Sequence, residues 1–131
     1  MYRWLDHTSE RELWIEDESP EAVLGEAAIA LGELLREHGG GEPVTRPVSV
    51  SAADLPTLLT DWLDELVYLA ETDGFIPARV VEMRLSGSDL EALVAGRRTV
   101  PQSLVKGVTY HRLEFAPGAD GAWHARVILD V

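Results

Sequence analysis

Two stretches of the chain set apolar residues at helical intervals. After Ser19-Pro20-Glu21, the residues Val23, Ala27, Ala30, Leu31 and Leu34 share one face, while Glu26, Glu33 and Glu37 fall elsewhere, and this predicts a first helix. Its start has a chemical signature. Serine accepts orphan amide hydrogens, proline at the first helical position has no amide to leave unsatisfied, and glutamate meets the positive helix end. Gly39-Gly40-Gly41, just after Arg36 and His38, is expected to end the helix and open a loop that runs to Pro47. A second helix is predicted from Asp54 as cap and Pro56 in the first turn. Leu55, Leu58, Leu59, Trp62, Leu63, Leu66 and Leu69 form its apolar stripe, Asp61, Asp64, Glu65 and Glu71 take the other side, and Asp73-Gly74 closes it. A stripe of this kind is core material rather than a cofactor box.

Elsewhere the period is two. Arg11 to Asp17 alternates Leu13 and Ile15 against Glu12, Trp14 and Glu16, Val48 to Ser51 is short and alternating, and Arg79 to Leu85 carries Val80, Val81, Met83 and Leu85. Leu90 to Arg98 suits helix and strand equally. Leu104 to Phe115 and Ala122 to Val131 are the longest strand candidates. The segment Ala116-Pro117-Gly118-Ala119-Asp120-Gly121 between them has the composition of a hairpin connection, so the two are expected to pair antiparallel. The order strand, helix, strand, helix and then several strands predicts an α+β fold: one domain over residues 1–131, with two helices packed on a mixed, largely antiparallel β-sheet. A chain of 131 residues, 46% of them hydrophobic, has material for one core and no room for a second domain.

Charge narrows the function classes. With 11 Lys+Arg against 23 Asp+Glu the net charge is −12, and protonating all 4 histidines would bring it only to −12 + 4 = −8. Nucleic-acid binding depends on basic residues displacing counterions from phosphates, so direct RNA or DNA binding is not expected. An acidic surface suits a basic protein partner, a hard cation or plain solubility. The absence of cysteine excludes disulfides, zinc ribbons and thiol catalysis together. No targeting segment opens the chain and no apolar run is long enough to cross a membrane, so a cytoplasmic location without membrane contact is expected.

Three places offer chemistry. In the last strand, parity puts Trp123, Ala125, Val127 and Leu129 on one face and His124, Arg126, Ile128 and Asp130 on the other. Asp130 is followed only by Val131, which groups a side-chain carboxylate, a carbonyl and a terminal carboxylate, the oxygen donors that Mg²⁺ or Ca²⁺ takes. A frayed, solvated chain end is the competing reading. Near the amino terminus, Asp6-His7-Thr8-Ser9-Glu10 precedes the first predicted strand, and Glu10 shares parity with Glu12, Trp14 and Glu16. Glu10 and Asp130 could share a cation if their strands are neighbours; a local turn around His7-Thr8 is the plainer reading. Third, Lys106 is the only lysine beside ten arginines, which hints at a need for a compact ammonium, and Thr109, Tyr110 and His111 follow it. No phosphate loop, serine elbow or His-Glu-x-x-His helix is present.

At these same places the sequence resembles the archease family. Asp6-His7-Thr8-Ser9-Glu10 is similar to that family's opening His-Thr-Ala-Asp motif and Ser19-Pro20-Glu21-Ala22 to its first helix start. Asp61 to Leu69 is similar to its second helix, Lys106-Gly107-Val108-Thr109-Tyr110-His111 to its Lys-Ala-Val-Thr-Tyr-His strand, and Arg126 to Val131 to its carboxy-terminal ending. The resemblance implies a non-enzymatic protein cofactor of an RtcB-type RNA ligase, the GTP- and Mn²⁺-dependent enzyme of tRNA splicing and RNA repair, promoting its guanylylation and multiple turnover. It also implies a divalent cation, Ca²⁺ first with Mg²⁺ or Mn²⁺ as substitutes, on Glu10, Asp130 and Val131. Lys106 would contact the partner or its nucleotide, with His7, Thr109 and His111 in support. Position 10 is Glu where the family has Asp, which keeps the charge and moves the carboxylate outward by about a bond length. Two other classes stay open: a metal-dependent hydrolase using Glu10, Asp130, His7 and His111, and an acidic interaction module without metal.

Overall fold

The computed structural model describes residues 1–35, 40–100 and 105–131. Its elements in order are β1 (Tyr2–His7), β2 (Glu10–Asp17), α1 (Pro20–Leu35), β3 (Glu42–Ser51), α2 (Leu55–Asp73), β4 (Phe75–Ser86), β5 (Asp89–Arg98), β6 (Gly107–Pro117) and β7 (Trp123–Asp130). The strands form a four-stranded sheet of order β1-β2-β7-β6 and a three-stranded sheet of order β3-β5-β4, and every pairing is antiparallel. The α+β class with two helices is as expected. What reads in the sequence as one mixed sheet is two sheets, and both helices touch both of them.

The caps act as the sequence implies. The Ser19 hydroxyl accepts the Ala22 amide at 3.1 Å, and the Asp54 carboxylate accepts the Thr57 amide at 2.8 Å. Gly74, at φ 67°, ends α2 in the left-handed conformation that glycine adopts without a Cβ clash. The end expected for α1 at Arg36 to Gly39 lies outside the described residues, as do Pro101 to Leu104 at the start of the strand expected from Leu104. Residues Leu90 to Arg98, ambiguous in the sequence, are strand, and β1 is a strand that the sequence reading did not anticipate.

The helices carry small residues where they approach the sheets. An added Cβ at Gly32 of α1 would sit 1.9 Å from the Pro77 carbonyl oxygen of β4, so only glycine permits this approach. Leu24, Leu31, Leu58, Leu59, Trp62, Leu63 and Leu66 are fully buried in the layer so formed. The Trp62 indole also donates to the Leu24 carbonyl at 3.0 Å, fastening α2 to α1. This core fixes β2, β7 and β6 by their apolar faces and leaves the opposite face of that sheet to carry chemistry.

Candidate functional site

Glu10 is the first residue of β2 and Asp130 the last of β7, and they are register partners in the ladder between those strands. Directly opposed residues in an antiparallel pair send their side chains to the same face, about 4.5–5.5 Å apart at Cβ. Two acidic groups from near the two extremities of the chain therefore meet at one corner. The chain end there is tied by its backbone on two sides: the Val131 amide donates to the Ser9 carbonyl at 3.1 Å, and the Asp130 carbonyl accepts the Lys106 amide at 2.7 Å. Ser9, in the turn between β1 and β2, has φ 64°, a conformation uncommon for a residue with a side chain. Gly107 faces Asp130 from the other side, so three strands, β2, β7 and β6, close on this point.

Glu10, Asp130 and Val131 are half-buried, and Lys106 is exposed beside them. The donors gathered here are carboxylate and carbonyl oxygens, the set that hard divalent cations accept, and the rigid ladder presents two of them together. The donor chemistry thus fits such a cation. His7 stands opposite Glu10 across β1 and β2, and its Nε2 is 3.3 Å from Oε1 of Glu12. Thr109 is opposite Ile128 on the same side of the sheet, with its hydroxyl buried and without a hydrogen-bond partner.

His111 is placed differently. Between Thr109 and Glu114 the β6 register slips, leaving Tyr110, His111, Arg112 and Leu113 opposite the single β7 residue Val127. Arg112 takes φ 56°, and its carbonyl accepts the Arg126 guanidinium at 2.9 Å, which holds the bulge closed. Tyr110 is 62% exposed, and His111 is exposed next to it. The structure thus gathers Glu10, Asp130, Val131 and the Lys106 backbone, sets His7 and Thr109 on flanking rows, and carries His111 out on a protrusion.

Parity marked Glu12 as facing away from the core, and its alternation with Leu13 holds, yet Glu12 is only 3% exposed. Ile128, its register partner on that face, is 2% exposed. The outer face of the sheet is therefore partly dry next to the corner. Alternation in one strand cannot report this, because it does not show which residues the neighbouring strands set beside Glu12, here Leu5 of β1 and Ile128 of β7.

Three kinds of likeness bear on the chain. The model of the Archease protein family (MTH1598/TM1083) matches residues 2–131. The archease of Methanosarcina mazei is 35% identical over 141 residues, covering 99% of this chain and 95% of that protein, and the archease of Methanosarcina acetivorans is 33% identical with the same coverage. Among solved structures, that of protein 1598 of Methanobacterium thermoautotrophicum superposes with a TM-score of 0.71 at 26% identity, covering 99% of this chain and 98% of that one. An archease of Thermotoga maritima, described as a possible chaperone, superposes with a TM-score of 0.67 at 20% identity over 97% of this chain and 94% of that one, a likeness of fold. No helix among the described residues is long and apolar enough to cross a membrane.

Proposed function

Because the chain belongs to the archease family, we propose that it is a non-enzymatic activator of an RtcB-type RNA ligase and that it acts through the corner where Glu10, Asp130, Val131 and Lys106 meet. The observation that carries this reading is the register pairing of Glu10 with Asp130, with the Lys106 amide bound to the Asp130 carbonyl.

The chain's part divides by residue. Glu10 and Asp130 hold a hard divalent cation, Ca²⁺ first and Mg²⁺ or Mn²⁺ in its place, with Val131 as a further donor. The cation, when bound, supplies fixed positive charge at an otherwise acidic edge. Lys106, a compact and strongly hydrated point charge, reaches phosphate oxygens of the ligase's nucleotide or an acidic group of the ligase itself. The net charge of −12 steers the domain toward a basic protein face and keeps it from competing for the RNA bound there. Its place of work is the cytoplasm.

The test is ligation by the purified ligase with substrate in large excess. Addition of this protein is expected to convert a single round into repeated turnover and to speed guanylylation. Asp130→Asn and Lys106→Ala, each with an unchanged circular dichroism spectrum, are expected to lose that effect. Full stimulation by both variants would remove the corner from the mechanism.

A further inference from the structure

The β2–β7 ladder that ends at Glu10 and Asp130 begins, about 20 Å away at roughly 3.3 Å per residue, with a second group of donors. Glu16 faces His124 across the ladder. Asp120, in the connection from β6 to β7, reaches the same imidazole: His124 Nε2 is 3.1 Å from one Asp120 carboxylate oxygen and 3.2 Å from the other. One donor atom from each of the three residues lies within 4.8 Å of the others.

A separate feature of the backbone makes room for this group. A Cβ at Gly118 would stand 2.6 Å from His124 Nε2 and 2.8 Å from an Asp120 carboxylate oxygen, so a residue with a side chain would crowd the His124–Asp120 pair. The Asp120 oxygen is also held from behind by the Ala122 amide at 3.0 Å, which fixes the carboxylate's orientation. A cleft of about 230 Å³ lined by Met1, Tyr2, Arg3, Trp14, Glu16 and His124 opens beside the group.

We propose that Glu16, Asp120 and His124 form a second metal site, selective for a divalent transition cation of the Zn²⁺ class, with its remaining coordination positions open to the cleft. Ligand atoms at about 2.0–2.1 Å from a tetrahedral zinc stand about 3.3 Å from one another, close to the spacing that His124 and Asp120 already keep. One imidazole nitrogen with two carboxylates favours Zn²⁺, Mn²⁺ or Co²⁺ over Ca²⁺ and Mg²⁺, which take oxygen donors. The site differs in chemistry from the all-oxygen corner and does not rest on the ligase reading. Once filled, it staples the β6–β7 connection to β2. An ordinary ion pair between His124 and Asp120 is the competing account, and it needs no Glu16, which makes no hydrogen bond to His124 among the described residues.

Zn²⁺ is titrated calorimetrically into the whole chain in a non-chelating buffer with millimolar Ca²⁺ present, and Co²⁺ is followed by its visible absorption. The expected result is one Zn²⁺ site that Ca²⁺ does not block, weakened at least tenfold by Glu16→Gln and by His124→Ala and unchanged by Asp130→Asn. Retention of full affinity by both Glu16→Gln and His124→Ala overturns the proposal, as does the absence of Zn²⁺ binding. Should a variant fail to fold, the imidazole resonances of the unaltered protein decide: Zn²⁺ must shift those of His124 at stoichiometric amounts, and an unmoved His124 overturns the site.

Discussion

Glu10 and Asp130 face one another at the end of the β2–β7 ladder, one opening its strand and the other closing its own. Holding two carboxylates side by side is unfavourable without a counter-charge, so removing either charge should weaken cation binding without harming the fold. Ca²⁺ titration is expected to show at least tenfold weaker binding for Glu10→Gln and for Asp130→Asn, about 1.4 kcal/mol or more. Glu10→Asp, which shortens the reach by one methylene, keeps the charge and is expected to lose less than Glu10→Gln. Equal binding by all three variants would mean that the ladder holds no cation.

Gly32 gives a test of how the helices sit on the sheets. The Pro77 carbonyl occupies the space that a Cβ would need, and it belongs to backbone that cannot swing aside. Gly32→Ala should therefore destabilise the protein by about 3 kcal/mol or more despite alanine's better helix propensity, whereas Gly25→Ala, with open space around it, should be stabilising by about 1 kcal/mol. Urea unfolding of the two variants checks the opposite signs.

The contrast between those glycines shows what the sequence could convey. Both helices were legible because their signals are local: Ser19-Pro20 and Asp54 with Pro56 mark the starts, and the leucine spacing marks the buried face. Glu10 and Asp130 could be assigned a face by parity, but their meeting depends on β2 lying next to β7, a pairing between distant segments that no local pattern encodes. The likeness in the motifs around His7, Lys106 and Asp130 supplied what periodicity could not. β1 did leave a trace, since Tyr2 and Trp4 alternate with Arg3 and Leu5 and pack against the core, but the charged residues of an edge strand blurred it. The division into two sheets, the slip that expels Tyr110 and His111, and the dryness around Glu12 all arise from tertiary contacts and had no sequence signal.

Trp62 couples the two helices through its indole nitrogen and its bulk. Trp62→Phe removes the donor to Leu24 and leaves a void where the larger ring lay, and the expected loss of stability is about 1–3 kcal/mol. Because the site lies on the opposite face of the sheet, Ca²⁺ affinity should stay within twofold of the unaltered protein at temperatures where the variant is folded. Calorimetric unfolding and Ca²⁺ titration on the same sample separate the two effects.

Tyr2 ties the edge strand β1 to α1 and should leave a mark at alkaline pH. Its burial, followed by the hydrogen bond that its hydroxyl gives to the Glu33 carboxylate and the charges of Glu33 and Glu26, pushes its pKa up from 10 to about 12. The folded state thus holds this proton more tightly than the unfolded chain, and the contribution to stability is complete below pH 10 and lost as pH rises from 10 toward 12. Tyr2→Phe removes the titrating group, so its stability should be lower than that of the unaltered protein at pH 8, and the gap should narrow steadily above pH 10. Denaturant unfolding across this range is the measurement, and parallel curves for the two proteins would show that the Glu33 contact does not hold β1 in solution.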